Sequence, residues 1–231
     1  MTHATKRTPE QTRSHYLSQM GKDLGGVFYA LWQEVAWLHN EWHEYLQLFG
    51  MKPTRITLMN NAAPQFFRMI QDELLDMIVL RIARLTDSPK SAGKSNLTIQ
   101  QLLSRINDKS FRNVVANLIG AAVAAAKFCR ERRHRLIAHR ALDLSLRVGT
   151  ETLPDLTRQN ITAAIESLSK VLNAVSFHYL HSTTEFGLVS NLGGALALIR
   201  ILDDGVQKRA ERMASLNRGE VPNDNVRRQN L

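Results

Sequence analysis

The sequence predicts an all-α fold, a helix bundle of about five to six helices around one hydrophobic core. Apolar residues recur with a spacing close to 3.6 in nearly every periodic segment, which is the spacing of one helix face. No run alternates apolar and polar residues in the way that a half-buried strand requires. With 231 residues and 44% hydrophobic content, the chain is long enough to bury one sizeable core.

Two long helices are predicted in the first part of the chain. The first covers residues 24–48, where apolar residues keep helical spacing, and it ends before Gly50 and Pro53. The second covers residues 58–85 and keeps its apolar face in register throughout. Pro64 lies within this segment, and a proline is compatible with a helix only in its first turn or at a kink.

Shorter elements are predicted to follow. Residues 90–95 are polar and indicate a loop. Thr98 can cap a short helix that extends to Ile106, although Asn96, one turn earlier, is a competing start. Ser110 then opens an alanine-rich helix whose last turns contain most of its charged residues. The basic character of this helix end is the most informative feature of the sequence.

The last part of the chain is also predicted to be helical. Residues 145–155 indicate a turn or a short extended segment, and Thr157 starts a further amphipathic helix. A final helix is predicted around residues 188–213, before a polar end that contains glycine and proline.

The predicted organisation is a single domain between two basic termini. We expect a flexible N-terminal segment over residues 1–22, a helical domain over residues 23–204 and a polar C-terminal tail over residues 205–231. The first residues lack the apolar region of a signal peptide, and no segment is long and apolar enough to span a membrane. The single cysteine, Cys129, is expected to be buried, as in a protein of the reducing cytoplasm.

The net charge of +9 is concentrated around the end of the alanine-rich helix. Residues 127–147 contain seven basic side chains and two acidic ones, which is typical of a surface that binds a polyanion. Within this region, Arg133 and His139 are separated by five residues. Histidine exchanges protons near neutral pH, and the arginine fork matches the geometry of a phosphate. The pair could therefore cleave a phosphodiester without a metal ion.

The geometry of an ideal helix does not bring this pair together. Six residues turn the helix by about 600°, so Arg133 and His139 would lie roughly 120° apart. The long arginine side chain, a loosened last turn or a symmetric dimer could each bring them together. A purely structural interpretation also exists, because cations near a helix C-terminus stabilise the helix dipole without any function.

Metal and nucleotide sites are less well supported by the sequence. His39 and His43 have the i,i+4 spacing that lets two imidazoles share a metal, but no third ligand is apparent. We interpret them as a surface pair and expect neither a metal site nor a cofactor. Residues 93–95 read Gly-Lys-Ser, but the first glycine of a phosphate-binding loop and its preceding strand are missing.

The motif and its surroundings resemble a known family. Arg-X5-His on a late helix of an all-α chain, with the polar His134 directly after the arginine, resembles the Arg-X4–6-His signature of HEPN domains. Four blocks make the chain similar to the abortive-infection AbiU-type branch: residues 31–37, residues 66–87 with their Arg-Leu-Thr-Asp ending, residues 93–99, and the motif itself followed by Leu153 and Pro154. One departure is that Arg140 follows the histidine, where members often carry an aspartate close by.

The resemblance implies a HEPN-like homodimer that cleaves RNA. Two protomers would place both motifs in one cleft, with Arg133, His139 and His134 as catalytic residues. Neighbouring phosphates of the RNA would be bound by Arg132, Arg135 and Arg140. The implied setting is abortive infection or a toxin–antitoxin system, with an antitoxin protein as a further partner.

Two alternatives remain at this point. The first is a non-catalytic HEPN module that binds nucleic acid, a nucleotide or an acidic protein partner. The second is a purely structural dimerisation domain. The sequence identifies neither the RNA target nor the activating signal.

Overall fold

The helical periodicity of the sequence is realised in the structure, and the fold is all-α as predicted. The computed structural model describes residues 7–138, 156–188 and 193–220, with side chains described up to Arg135 in the first of these ranges. Two compact units are present, one formed by Met1–His43 and Glu73–Val189 and the other by Glu44–Asp72 and Ser190–Leu231. Within the described ranges, no helix is long and apolar enough to cross a membrane.

Helix α1 spans Pro9–Met20, inside the N-terminal segment that was predicted to be flexible. A capping box explains its start: the Thr8 hydroxyl accepts from the Gln11 N–H, and the Gln11 side chain accepts from the Thr8 N–H. Tyr16 and Met20 are buried, so this polar helix is held to the first unit by few apolar contacts. The helix itself was not predicted, because the segment has almost no amphipathic pattern.

The first predicted long helix is present as α2, which spans Lys22–Tyr45 and continues as a π-helical turn over Leu46–Gly50. The second predicted helix is in fact two helices, α3 over Pro53–Ala62 and α4 over Pro64–Leu85. Pro64 causes the interruption, because proline has no N–H to donate and its ring clashes with the preceding helical turn.

Short elements connect α4 to the next long helix. Two-residue strands, β1 over Lys90–Ser91 and β2 over Lys94–Ser95, pair antiparallel where a plain loop was predicted. Ala92 and Gly93 both have positive φ, as a two-residue hairpin turn requires. A 3-10 helix over Ile99–Arg105 occupies the position of the predicted short helix.

The alanine-rich helix is divided into three consecutive segments. Helix α5 spans Lys109–Ala125, so it starts one residue before the predicted Ser110, and Asp108 caps it. After Ala126, α6 spans Lys127–Arg132, and a π-helical turn over Arg133–Ala138 follows directly. The predicted turn at residues 145–155 lies outside the described residues.

Two helices complete the chain. Helix α7 spans Arg158–Leu180, and its first turn is capped by Thr157 as expected. Helix α8 spans Ala195–Asn217. Residue 204, the predicted end of the domain, therefore lies inside α8, and the helix continues into the segment that was interpreted as a tail.

Each unit has its own core. In the first unit, α5 packs against α7, and fully buried side chains from α2, α4 and α7 fill the space between the helices, among them Phe28, Leu31, Ile78, Ile82, Ile165 and Leu168. In the second unit, α3 packs against α8, with Met59, Phe67 and Ala195 buried. The burial of whole aliphatic side chains stabilises such cores by about 1.5–3 kcal/mol per residue.

Candidate functional site

Arg133 begins a segment of unusual helix geometry within the basic region. Residues 133–138 form a π-helical turn, in which an N–H donates to the carbonyl five residues before it instead of the four of an α-helix. Turns of this kind are rare and occur frequently at functional sites. The angle of about 120° between Arg133 and His139 was calculated for an ideal α-helix. Residues 133–138 form a π turn instead, so that value does not apply to them.

The Arg133 guanidinium is paired with Asp87. Its Nη1 donates to Asp87 Oδ2, and both side chains are largely but not fully buried, with exposed fractions of 28% and 24%. Asp87 lies just beyond the C-terminal end of α4, forty-six positions before Arg133. A guanidinium has five N–H donors, and the contact with Asp87 engages one of its nitrogens. The pair therefore orients the arginine at the surface of the first unit.

The other cations of this region have different environments. Arg130 is half-buried and donates to the hydroxyl of Thr86 at 3.0 Å and to the carbonyl of Val123 at 2.7 Å. Because Thr86 is buried and donates in turn to the carbonyl of Ile82, Arg130 joins α6 to the end of α4. The role of Arg130 is thus structural.

Arg132 and Lys127 also have acidic neighbours. The Nε of Arg132 lies 3.8 Å from Asp76 Oδ1, which is an ion pair without a hydrogen bond, and its side chain is 25% exposed. That Nε is buried and has no hydrogen-bond partner among the described residues. Lys127 forms an exposed pair with Glu131 at 3.6 Å on α6.

The remaining predicted site residues are only partly described. His134 is exposed and Arg135 is half-buried, both within the π turn. His139 and Arg140 lie outside the described residues. The structure thus places Arg132, Arg133, His134 and Arg135 on one continuous stretch of helix.

Sequence reasoning from the motif alone did not identify Asp87. The only signal was the Arg-Leu-Thr-Asp block, residues 84–87, which was noted as part of the family resemblance. The structure explains why this block matters, since Thr86 contacts Arg130 and Asp87 contacts Arg133. The amide of Gln100 supports the same segment by donating to the carbonyl of Asp87 at 3.0 Å.

Next to Asp87 lies a concave surface that we call the polar cavity. It has a volume of about 280 Å³ and is lined by Arg84, Asp87, Ser91, Ser95, Asn96 and Leu97. These residues come from the end of α4 and from the β1–β2 hairpin. Two separate blocks of the family resemblance, residues 66–87 and residues 93–99, therefore meet beside Arg133, the arginine of the motif.

His39 has an environment that differs from the predicted surface pair. Its ring is half-buried, its Nε2 lies 2.7 Å from the hydroxyl of Ser169, and it stacks on Phe186. Burial lowers the pKa of His39, and the charge of Glu185 opposes this effect. Among the residues that the structure describes, no three His, Cys, Asp or Glu side chains are close enough together to hold a metal ion.

Comparison with known proteins identifies the family. A family model with the description AbiU2, of the HEPN type, matches residues 21–194, which is well over half of the chain. No curated protein and no solved structure matches the chain significantly. The matched range includes α2, α4, the hairpin and the whole Arg133–His139 motif. The chain therefore belongs to the AbiU2 family of HEPN domain proteins.

Proposed function

We propose that this protein is an endoribonuclease that cleaves RNA without a metal ion, using Arg133 and His139. The observation that carries the proposal is the environment of Arg133. Its guanidinium is oriented by Asp87 at the start of a π turn, in a region rich in cations and at a position that matches the HEPN signature. A cation that is oriented before the substrate arrives loses little energy in reorganisation when charge develops on a phosphate.

The reaction would be an attack of an RNA 2′-OH on the adjacent phosphorus. The bond from O2′ to phosphorus forms while the bond from phosphorus to O5′ breaks, which leaves a 2′,3′-cyclic phosphate and a 5′-OH end. His139 acts as the general base that takes the proton from the 2′-OH, or as the acid that protonates the leaving O5′. Arg133 stabilises the extra negative charge on the phosphorane-like transition state. DNA has no 2′-OH and should resist cleavage.

The neighbouring side chains would bind the rest of the substrate. His134, which is exposed, would contact the reacting phosphate or orient His139. Arg135 and Arg140 would bind adjacent phosphates. Arg132 would do so only while sharing its guanidinium with Asp76, whose carboxylate lies 3.8 Å away.

A symmetric dimer is part of the proposal. Two protomers that bring both motifs into one cleft would also bring together several arginines, and a bound polyanion would relieve their repulsion. Sedimentation velocity should therefore detect a dimer that becomes more stable when sulfate or an RNA oligonucleotide is added. A monomer at all concentrations, with cleavage activity intact, would contradict the shared cleft.

The decisive experiment is cleavage of total cellular RNA by purified protein in excess chelator. Wild type, Arg133→Ala and His139→Ala are compared with Arg68→Ala, which removes an exposed arginine of an i,i+4 ion pair on α4. Cyclic-phosphate ends should appear with the wild type and with Arg68→Ala, and be lost with the other two variants. Equal cleavage by all four proteins would indicate a contaminating nuclease.

Binding without cleavage would favour the non-catalytic alternative. In that case RNA should bind with strong salt dependence, because phosphate contacts release counterions, but no cyclic-phosphate ends should appear. The biological setting is tested separately by expression in bacteria. Growth arrest that His139→Ala abolishes would support a role in abortive infection or in a toxin–antitoxin pair, and co-expressed candidate antitoxin proteins could then be screened for rescue.

A further inference from the structure

The polar cavity has the shape and the chemistry of a binding site. Its six lining residues surround a volume of about 280 Å³, close to the lower limit of small-ligand sites. One nucleotide would fit a space of this size, and a duplex would not. The hydroxyls of Ser91 and Ser95 supply hydrogen-bonding groups, and Leu97, 42% exposed, supplies an apolar surface.

The walls of the cavity are held in place by the fold. The Asn96 side-chain amide donates to the carbonyl of Ser88 at 3.0 Å and to the hydroxyl of Ser91 at 2.9 Å. The Gln101 amide donates to the carbonyls of Pro89 and Asn96, both at 2.9 Å. These bonds fix the hairpin from both sides before any ligand is present. A preorganised site binds more tightly because less conformational entropy is lost.

Arg84 gives the cavity an available positive charge. Its side chain is 55% exposed, and its described ion pair is a long one, with 3.9 Å between its Nη2 and Glu34 Oε2. The same Glu34 oxygen is bound more closely by Arg81, at 2.5 Å. Arg84 is therefore only weakly neutralised, and a phosphate could replace a distant carboxylate with short charge-assisted hydrogen bonds.

Asp87 connects the cavity to the arginine of the motif. One carboxylate both lines the polar cavity and pairs with Arg133. A nucleotide in the cavity would thus lie beside the position where the proposed reaction takes place. Because Asp87 is paired with a cation, its charge repels an incoming phosphate less than that of an isolated carboxylate would.

We propose that the polar cavity is an RNA subsite that binds the nucleotide next to the scissile phosphate, with Arg84 contacting its phosphate and the hydroxyl of Ser95 contacting its sugar. The inference rests on the proposed function for the identity of the neighbouring reaction. Binding by the cavity itself does not depend on catalysis, so the two can be tested apart.

The test uses a single-stranded 2′-O-methyl RNA oligonucleotide, which has no free 2′-OH and cannot be cleaved. Fluorescence anisotropy gives Kd for the full-length protein over a series of salt concentrations. Arg84→Gln should weaken binding about tenfold at low salt and reduce the slope of log Kd against log salt by about 0.7, the value for one lost contact to a single strand. The matched control, Arg68→Gln, removes an exposed arginine of the other unit and should change neither quantity.

A second variant tests the cavity without removing an arginine. Ser95→Glu places a negative charge inside the cavity and should weaken binding as strongly as Arg84→Gln. Ser18→Glu adds the same charge at an exposed position of α1 and should have a much smaller effect. Thermal unfolding of all four variants establishes that they are folded at the assay temperature.

The outcomes separate the subsite from the proposed nuclease. Wild-type affinity and slope in both Arg84→Gln and Ser95→Glu would overturn the subsite, and so would a wild type that fails to bind the oligonucleotide. Cleavage of natural RNA with no effect of these variants would overturn the subsite alone. Binding that depends on Arg84 in a protein that cleaves no RNA would support the subsite and contradict the proposed nuclease.

Discussion

Arg81 and Arg133 lie in the same unit and are both mostly buried, but they differ in how many of their nitrogens pair with carboxylates. Arg81 donates through Nε and Nη2 to both oxygens of Glu41 at 2.9 Å, and through Nη1 to Glu34 at 2.5 Å. Among the described residues, Arg133 contacts one carboxylate oxygen of Asp87 through one nitrogen. All three nitrogens of Arg81 thus pair with carboxylates and join α2 to α4, whereas the contact with Asp87 orients Arg133 from one side.

This difference separates a structural arginine from a candidate catalytic one more clearly than exposure does, since 13% and 28% of the two side chains are accessible. A guanidinium that pairs with carboxylates through all three nitrogens cannot offer a two-pronged contact to a phosphate without breaking an existing pair. The comparison predicts that the two arginines affect different measurements, one stability and the other cleavage.

The largest expected effect is that of Arg133→Ala on RNA cleavage. Removing a preorganised donor to the transition state typically lowers the rate by about 10²–10³-fold. The free energy of unfolding should fall by no more than about 1 kcal/mol, because the pair with Asp87 is partly exposed. Single-turnover cleavage and urea unfolding give the two values. A large loss of stability in this variant would contradict the distinction between the two arginines, because Arg133 would then be a structural residue like Arg81.

Arg81→Met should have the complementary effect. It leaves the mostly buried Glu41 without this cation and Glu34 with only the distant Arg84, and we expect a loss of about 3 kcal/mol in the free energy of unfolding. The triple variant Arg81→Met, Glu34→Gln, Glu41→Gln removes the unpaired charges and should recover much of that loss, as measured by urea unfolding. No recovery would indicate that the packing of the Arg81 side chain matters more than the ion pairs.

Asp87→Asn should have a smaller effect that shows how Arg133 is oriented. The variant keeps the shape of the side chain but replaces the ion pair with Arg133 by a weaker neutral hydrogen bond. We therefore expect kcat to fall about tenfold. KM for RNA should not rise, since the change removes a negative charge near the substrate. A rise in KM with unchanged kcat would place Asp87 in substrate binding instead of in the positioning of Arg133.

The smallest effect concerns Cys129, which lies on α6 four residues before Arg133. Burial raises the pKa of this thiol to about 12, although the charges of Arg130 and Arg132 act in the opposite direction. The thiol should therefore be protonated and inert at pH 8, and should react with Ellman's reagent only after unfolding. Fast reaction in the native protein would show that the region before Arg133 is more open than the surroundings of Arg81.

Much of the fold could be predicted from local patterns in the sequence. The helical spacing in α2, α4 and α7 depends only on which residues are apolar, and Thr157 and Gly50 indicate helix ends by their own backbone preferences. Helix α1 was missed although its capping box was readable, because its apolar residues show no helical stripe. Pro64 was expected either in a first helical turn or at a kink, and in the structure it begins α4, the second of two separate helices.

The candidate site could be predicted only in part. Arg133, His134 and Arg135 could be chosen from residue type and spacing, because the chemistry of phosphate transfer requires a cation and a proton carrier. The contribution of Asp87, Arg84 and the hairpin could not be read in this way. Polar residues near a turn are common, and nothing local distinguishes these three elements from any other helix end followed by a loop.

The sequence by itself determined that this protein is an all-α member of the AbiU2 family with a concentrated basic motif, since periodicity, charge and motif order are properties of the chain. Only the tertiary structure decided which carboxylate each arginine meets. Asp87 and Arg133 are separated by forty-six positions, and Glu41 and Arg81 by forty. Such pairs depend on how the helices pack, and the strength of an ion pair depends on the burial that packing creates.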